Sequence, residues 1–310
     1  MKKYLPLLLG VYFFAFSCKK DHHPGTDPDA KEYDVKFGLN GFTQSITTMA
    51  GKKTQTNGLQ TNATPTPVTA DYLKVVRYLV FGPGDYSEEG PIFHSIVIDS
   101  TASNFGVISD RLPAGTYTVV VAAGKAGLQF SNSNPKQIYY TKDVSYQPFW
   151  KDTFFDKFQL TVSGDINQDV TLSRIVAQLQ INIEDAIPAN AKTIIVNISD
   201  ESRQYLIGTE KSGQMSSMTL TIVIPDAAKG KPNFKITSLM GNTSTPFAVK
   251  ITCYDANQNA VGSGVTVPNV TCQKNTKTIL SGKLFNYGTT DPFTIGINND
   301  WDPTPVVAHY

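Results

Sequence analysis

Alternation with a period of two constrains this chain more than any other feature. In Ile175-Val176-Ala177-Gln178-Leu179-Gln180-Ile181-Asn182-Ile183-Glu184 the odd positions are apolar and the even ones mostly polar. A strand with one buried face requires this pattern, because successive side chains point to opposite sides of a sheet. Ile194, Val196 and Ile198 repeat it, as do Leu220, Ile222 and Ile224, and Tyr117, Val119 and Val121. Val75 to Phe81 is almost continuously apolar and predicts a more deeply buried strand. β-Branched and aromatic residues dominate these segments. Turn-forming clusters separate them: Gly82-Pro83-Gly84-Asp85, Leu112-Pro113-Ala114-Gly115 and Asp255-Ala256-Asn257-Gln258-Asn259. No long segment carries a helical stripe, and many short strands at this spacing predict an all-β sandwich or barrel.

The N-terminus is of a different kind. Lys2 and Lys3 precede an apolar run from Tyr4 to Phe16, and polarity flips at Lys19-Lys20-Asp21. The run is roughly 13 residues, about 20 Å as a helix, whereas a bilayer core of about 30 Å needs ~20 residues. It therefore reads as a secretory signal over residues 1–17. Ala15-Phe16-Ser17-Cys18 resembles a bacterial lipobox, although Phe16 stands where a small residue is more typical. Because Cys18 abuts the polarity switch and a floppy linker follows, it reads as the lipidated first residue of the mature chain rather than as a chance cysteine at the border of an ordinary signal, and two acyl chains anchor a protein stably where one is marginal. Residues 18–32 are charged, contain Pro and Gly and lack an apolar anchor, the composition of a flexible tether. A second polar stretch, Gly51 to Thr69, reads as a long exposed loop.

Composition narrows the function. A net charge of +1 with scattered Lys and Arg gives no basic stripe for phosphates, which argues against nucleic-acid binding. The histidines, His22, His23, His94 and His309, lack metal-ligand spacing, and His94 reads as a strand-surface residue. No nucleophile elbow, P-loop or dinucleotide-binding glycine pattern is present. Acidic residues mostly fall in turn-like places such as Glu88-Glu89 and Asp200-Glu201. No catalytic residue, metal or cofactor is expected, and binding is the expected activity. Besides Cys18 there are Cys253 and Cys272. In an exported compartment they can form a disulfide, or they can remain two buried thiols acting as small hydrophobes. Aromatic residues cluster between Ile138 and Phe158, where Tyr146, Phe149 and Trp150 can form a ligand patch or fill a core or a domain interface.

The two halves echo each other weakly. Tyr33 to Phe42 and Leu172 to Glu184 are alternating openings, and Gly115 to Ala123 and Phe247 to Tyr254 are strong late strands. This predicts two β-sandwich domains, residues 33–165 and 166–310. Three segments, Arg111-Leu112-Pro113-Ala114-Gly115-Thr116-Tyr117, Thr171 to Ile181 with its Arg174, and Ile295 to Trp301, resemble the fimbrillin and fimbrium-anchor family of Bacteroidota. The resemblance is one of pattern over roughly residues 18–301. It implies tandem transthyretin-like (Greek-key) sandwiches, a place on the cell outer membrane, fimbrial subunits as partners and β-strand addition as the binding mode. Within that family, shaft pilins are cut after Arg or Lys in the loop following the first strand. Here that loop holds Lys52 and Lys53 but no Arg, and the segment after Trp301 contains Pro303 and Pro305, which suit a donor strand poorly. Both features favour a lipid-tethered anchor or accessory subunit over a polymerising shaft or tip pilin. A surface glycan-binding lipoprotein is the alternative, with the Trp150 cluster carrying the ligand.

Overall fold

The computed structural model of the chain describes residues 30–43, 73–82, 91–131, 136–140, 149–285 and 293–298. Cys18, the tether up to residue 29, the Gly51 to Thr69 loop and Tyr146 lie outside the described residues, and Glu32, expected to end the tether, instead opens the first strand. The fold is all-β, as the period-two pattern requires; apart from strands, the described residues hold one 3-10 turn, Asp226–Ala228. The strands are β1 (Glu32–Thr43), β2 (Val75–Phe81), β3 (Ile92–Asp99), β4 (Val107–Pro113), β5 (Gly115–Gly124), β6 (Leu128–Ser131), β7 (Gln137–Tyr140), β8 (Thr153–Val162) and β9 (Ile166–Arg174). They continue as β10 (Ala177–Ile183), β11 (Thr193–Leu206), β12 (Lys211–Val223), β13 (Phe234–Met240), β14 (Phe247–Tyr254), β15 (Val265–Val270), β16 (Lys277–Gly282) and β17 (Phe293–Asn298).

The first sheet has seven strands in the order β3-β2-β5-β8-β9-β1-β4. β8 meets β9 only at Phe154↔Arg174 and Phe155↔Ser173. A junction this narrow lets the sheet fold over, so that the limb β3-β2-β5-β8 faces the limb β9-β1-β4 across one core. Val76, Tyr78, Val119 and Val121 of one limb share that core with Val35, Phe37, Ile108 and Leu172 of the other. At the far side the outer strands are tied by His94 of β3, whose Nδ1 lies 2.9 Å from Asp110 Oδ1 on β4. His94 is thus a strand residue as expected, but it stacks on Phe93 and clasps two edges rather than merely facing water.

The later strands form a four-stranded sheet, β13-β10-β16-β17, and a six-stranded one, β15-β14-β11-β7-β6, with β12 added on β11. Leu179, Ile181 and Ile183 of β10 share a second core with Ile194, Val196 and Ile198 of β11 and Val249 and Ile251 of β14. Both periodicities read from the sequence therefore bury the faces they mark.

Between the two cores lies a third apolar cluster. β5 is buried on both faces: Val119 and Val121 enter the first core, while Val120 and Ala122 point the other way. There they join Leu79, Phe155, Trp150, Val176 and Tyr205. β6 and β7 belong to the first half in sequence, yet β7 pairs with the end of β11 at Ile138↔Tyr205 and Gln137↔Leu206. The division expected after residue 165 falls immediately before β9. β9, which begins at Ile166, runs parallel to β1 along Val35↔Ile166 to Thr43↔Ser173 and completes the first sheet. The ten-residue strand expected from Ile175 likewise begins only at Ala177, because Ile175 and Val176 turn into the seam.

Arg174, at the end of β9, explains why the chain turns there. It is 1% exposed. Its Nε donates to Asp152 Oδ1 at 2.7 Å and Nη2 to Oδ2 at 3.0 Å, a bidentate pair. Nη1 donates to Asn275 Oδ1 at 3.0 Å, and the guanidinium lies 4.9 Å above the Phe154 ring. One side chain thereby joins β9, the segment entering β8 and the turn before β16. Burial pushes the Asp152 carboxyl above its ordinary range despite the guanidinium beside it, so desolvation outweighs the pairing. Such a pair specifies geometry more than it stabilises. Asp152→Ala should lower unfolding free energy by about 3–5 kcal/mol, because it leaves a buried unpaired charge, whereas the double change Asp152→Leu with Arg174→Met should be close to neutral. Urea titration of the three proteins measures both.

Candidate functional site

Two of the aromatic residues singled out from sequence, Phe149 and Trp150, fall in the seam rather than on a surface. Trp150 is 2% exposed. Its Nε1 donates to Ser202 O at 2.6 Å, and the Tyr140 ring meets it edge-on at 6.1 Å. Gly241 presses against the indole so closely that a Cβ there would stand 1.9 Å from Nε1. Phe149 is half-buried under the Arg203 guanidinium, 4.4 Å from its ring centre. The ligand-patch expectation is corrected accordingly. The indole is spent on the seam, and neither face is open to a sugar ring.

Next to Trp150 is a group that sequence reasoning misplaced. β11 carries one extra residue between Ile198↔Met218 and Glu201↔Ser216. A bulge of this kind reverses which side chains face inward. Before it Ile194, Val196 and Ile198 are buried; after it Glu201 and Tyr205 are. Glu201 is therefore not a turn residue but a carboxyl with 0% exposure. Its Oε1 accepts from Gly241 N at 2.5 Å, while Oε2 has no hydrogen-bond partner among the described residues. Burial pushes its pKa up to about 8, partly offset by the amides of Gly241, Asn242 and Ser202. The surrounding groups are mutually bonded: Ser202 Oγ donates to Gly213 O at 2.8 Å, Ser212 Oγ to Gly241 O at 2.6 Å, and Asn242 Nδ2 to Asp200 O at 2.7 Å. The adjacent pair Asp200-Glu201 gave no hint of this, because only the register against β12 turns one of them inward.

The cysteines also part company with one expectation. Cys253 and Cys272 are buried and free, not bridged. Both face the second core, as alternation required for Cys253, but they sit at opposite ends of the β14–β15 hairpin. Cys253 follows the Ile251↔Val265 pair and Cys272 follows the Phe247↔Val270 pair. The separation along β14 is about 20 Å at ~3.3 Å per residue, and a disulfide needs Cα atoms within about 7 Å. Burial pushes the two thiols up to about 11 and about 12, so they behave as small hydrophobes.

No group of three or more His, Cys, Asp or Glu that could hold a metal occurs among the described residues. What remains as a candidate site is the set of sheet edges, whose unpaired backbone groups are templates for another strand. Most are protected. β3 and β4 are clasped to each other and carry His94, Asp99, Asp110, Arg111 and Pro113; β13 carries Lys235, and β15 is interrupted by Pro268. Two are not. β17 pairs only with β16 among the described strands. Its register, Phe293↔Gly282, Ile295↔Leu280 and Ile297↔Thr278, puts Phe293, Ile295 and Ile297 on the face that carries Leu280 into the second core. Phe293 is buried there, but Ile295 is 44% and Ile297 50% exposed. The core-side face of β17 thus runs out from under its cover. β12 is the second open edge, with no charge and no proline from Ser212 to Val223.

The chain belongs to the family of unknown function DUF6562, whose model matches residues 86–305. No curated protein matches it. Among solved structures it is similar to a DUF1812 protein of Bacteroides thetaiotaomicron, with 10% identity, TM-score 0.49, and coverage of 74% of this chain and 90% of that one. It is similar to the fimbrial anchor protein Mfa2 of Porphyromonas gingivalis at 11% identity and TM-score 0.46, covering 87% of this chain and 98% of that one. The tip fimbrial protein Mfa3 of the same organism is 12% identical with TM-score 0.45, over 87% of this chain and all of that one (100%).

Two predictions follow from the seam. Trp150→Ala and Gly241→Ala should each destabilise the fold, the first by about 3–5 kcal/mol through the cavity it leaves, seen as a lower urea midpoint with unchanged slope. For Glu201, the folded carboxyl keeps its proton to about pH 8, while the unfolded one releases it near the ordinary 4.5. Between those values the folded state binds the extra proton, so stability falls as pH rises. Glu201→Gln should flatten that slope in thermal melts taken from pH 5 to pH 8.

Proposed function

We propose that this chain is a cell-surface lipoprotein of the outer membrane that acts as a fimbrium anchor or accessory subunit, holding a partner subunit by β-strand addition. Its activity is binding, not catalysis. The reading is carried by β17, where Ile295 and Ile297 stand half-exposed on a strand face whose neighbours Phe293 and Leu280 are buried. A guest strand whose alternate apolar side chains cover these two residues would complete the core while its backbone pairs with an open edge, which is the physics of strand addition. Covering apolar surface contributes roughly 25 cal/mol per Å², and edge hydrogen bonds set the register. The membrane contact comes from the other end of the chain, through Cys18 behind its apolar signal and polar tether. No helix among the described residues is long and apolar enough to cross a membrane.

The glycan-binding alternative depended on the aromatic cluster, and with Trp150 buried it has no aromatic platform among the described residues. Strand addition is therefore the reading to test. In cells, Cys18→Ser should move the protein from the membrane to the soluble fraction and release its partner from the surface. Ile295→Asp with Ile297→Asp should leave the protein in the membrane but abolish co-purification of fimbrial subunits. A Cys18→Ser protein that stays in the membrane fraction, or an Ile295/Ile297 variant that still retains its partner, would each remove one half of the proposal.

A further inference from the structure

β12 offers an edge of a different kind from β17. Its core-facing side is already covered: Met218, Leu220 and Ile224 are 1%, 7% and 2% exposed within the second core. Its other face is solvent-exposed at Thr219, Thr221 and Val223. The backbone register decides which groups are left over. Ile224 N donates to Lys192 O at 2.9 Å, in line with the Thr193↔Val223 pairing. In an antiparallel ladder, hydrogen-bonded residues alternate with residues whose N–H and C=O point the other way. Ile222, Leu220 and Met218 therefore bond to β11, and Thr219, Thr221 and Val223 aim their N–H and C=O groups away from it. Among the described strands none meets them.

We infer that this edge is the interface between two copies of the chain, joined as an antiparallel β12–β12 pair about a twofold axis near Thr221. Three observations carry the choice of a second copy over another partner. First, pairing about Thr221 sets that residue opposite itself and Thr219 opposite Val223, so a charge at the axis would meet its like, which destabilises a cross-strand pair. Ser212 to Val223 holds none, whereas the edge strands β3, β4 and β13 all carry charges. Second, the exposed face has no uncovered apolar groove that would select a guest's side chains. At the axis it presents the hydroxyl side chains of Thr219 and Thr221, and threonine opposite threonine is a favourable cross-strand pair. Third, Val223 is 64% exposed, the most exposed of the large hydrophobic residues at the described positions. Pairing about Thr221 brings Val223 of each copy beside Thr219 of the other, covering it twice. The three outward residues of each strand then supply about six hydrogen bonds across the axis, and two sheets become one continuous sheet. β12 and β17 belong to different sheets, so a pairing through β12 does not use the β17 edge.

The test uses the full chain carrying Cys18→Ser, so that no lipid drives association, and reads mass by sedimentation equilibrium. The unsubstituted edge should give a concentration-dependent dimer. The pair Thr219→Lys with Thr221→Lys, and separately Thr219→Glu with Thr221→Glu, should weaken it at least about tenfold through like charges across the axis. Both pairs of changes lie on solvent-facing positions, and an unchanged urea midpoint would show that the fold is intact. Mixing the Lys and Glu proteins should restore a dimer containing one of each. A protein that stays monomeric with the edge intact would overturn the inference, as would a dimer indifferent to these charges or a mixture that fails to pair. A monomer whose capture of a fimbrial subunit is lost in the Lys variant would assign the edge to a foreign strand and overturn self-pairing equally.

Discussion

A guanidinium sealed from water is the constraint on which the rest of this structure turns. Arg174 ends the last strand of the seven-stranded sheet, and its bidentate grip on Asp152 fixes the segment that leads into β8. Its third bond, to Asn275, reaches the turn before β16 in the second core. The pair gains little net energy, since the burial that isolates it also penalises the Asp152 charge. What it does is remove alternatives. A charge this deep must be met by polar groups, and Asp152 and Asn275 meet it by joining β9, the segment entering β8 and the turn before β16. The apolar seam then follows, with Trp150, Val176 and Tyr205 packed against the back of β2 and β5.

A chain built almost wholly of strands must also deal with every strand that has a neighbour on one side only. Here the solutions are distributed. The folded-over first sheet clasps its own edges through His94 and Asp110, and Pro268 and Lys235 blunt two edges of the second half. β12 and β17 are left without such devices. They differ in what they expose: β12 offers unpaired backbone groups beside Thr219, Thr221 and Val223, while β17 offers apolar side chains slipping out of a core. That difference separates a surface suited to its own copy from one suited to a guest strand.

Much of the fold was legible in the sequence. The alternating segments Ile194 to Ile198, Leu179 to Ile183 and Phe247 to Cys253 are strands with the marked faces buried. The continuous run Val75 to Phe81 is a strand covered on both sides. The errors share one cause, which is that period two specifies a face and not a neighbour. It could place Cys253 in a core but not measure its distance to Cys272 along a hairpin. It could mark Trp150 as aromatic but not say that Gly241 and Ser202 would close over it. It read Asp200-Glu201 as a turn, because a one-residue bulge in β11 inverts the pattern without leaving any trace in composition.

By itself, then, the sequence determined most of the secondary structure and the two main apolar faces, because each depends on neighbours within about ten residues along the chain. Tertiary structure alone decided that β9 belongs with the first sheet, that β6 and β7 cross to the second, and that Glu201 lies inside and keeps its proton near neutral pH. It also decided which edges stay open. These depend on strand pairings between residues tens to hundreds of positions apart, and hydrogen bonds between backbones carry no side-chain signature by which a partner could be read in advance.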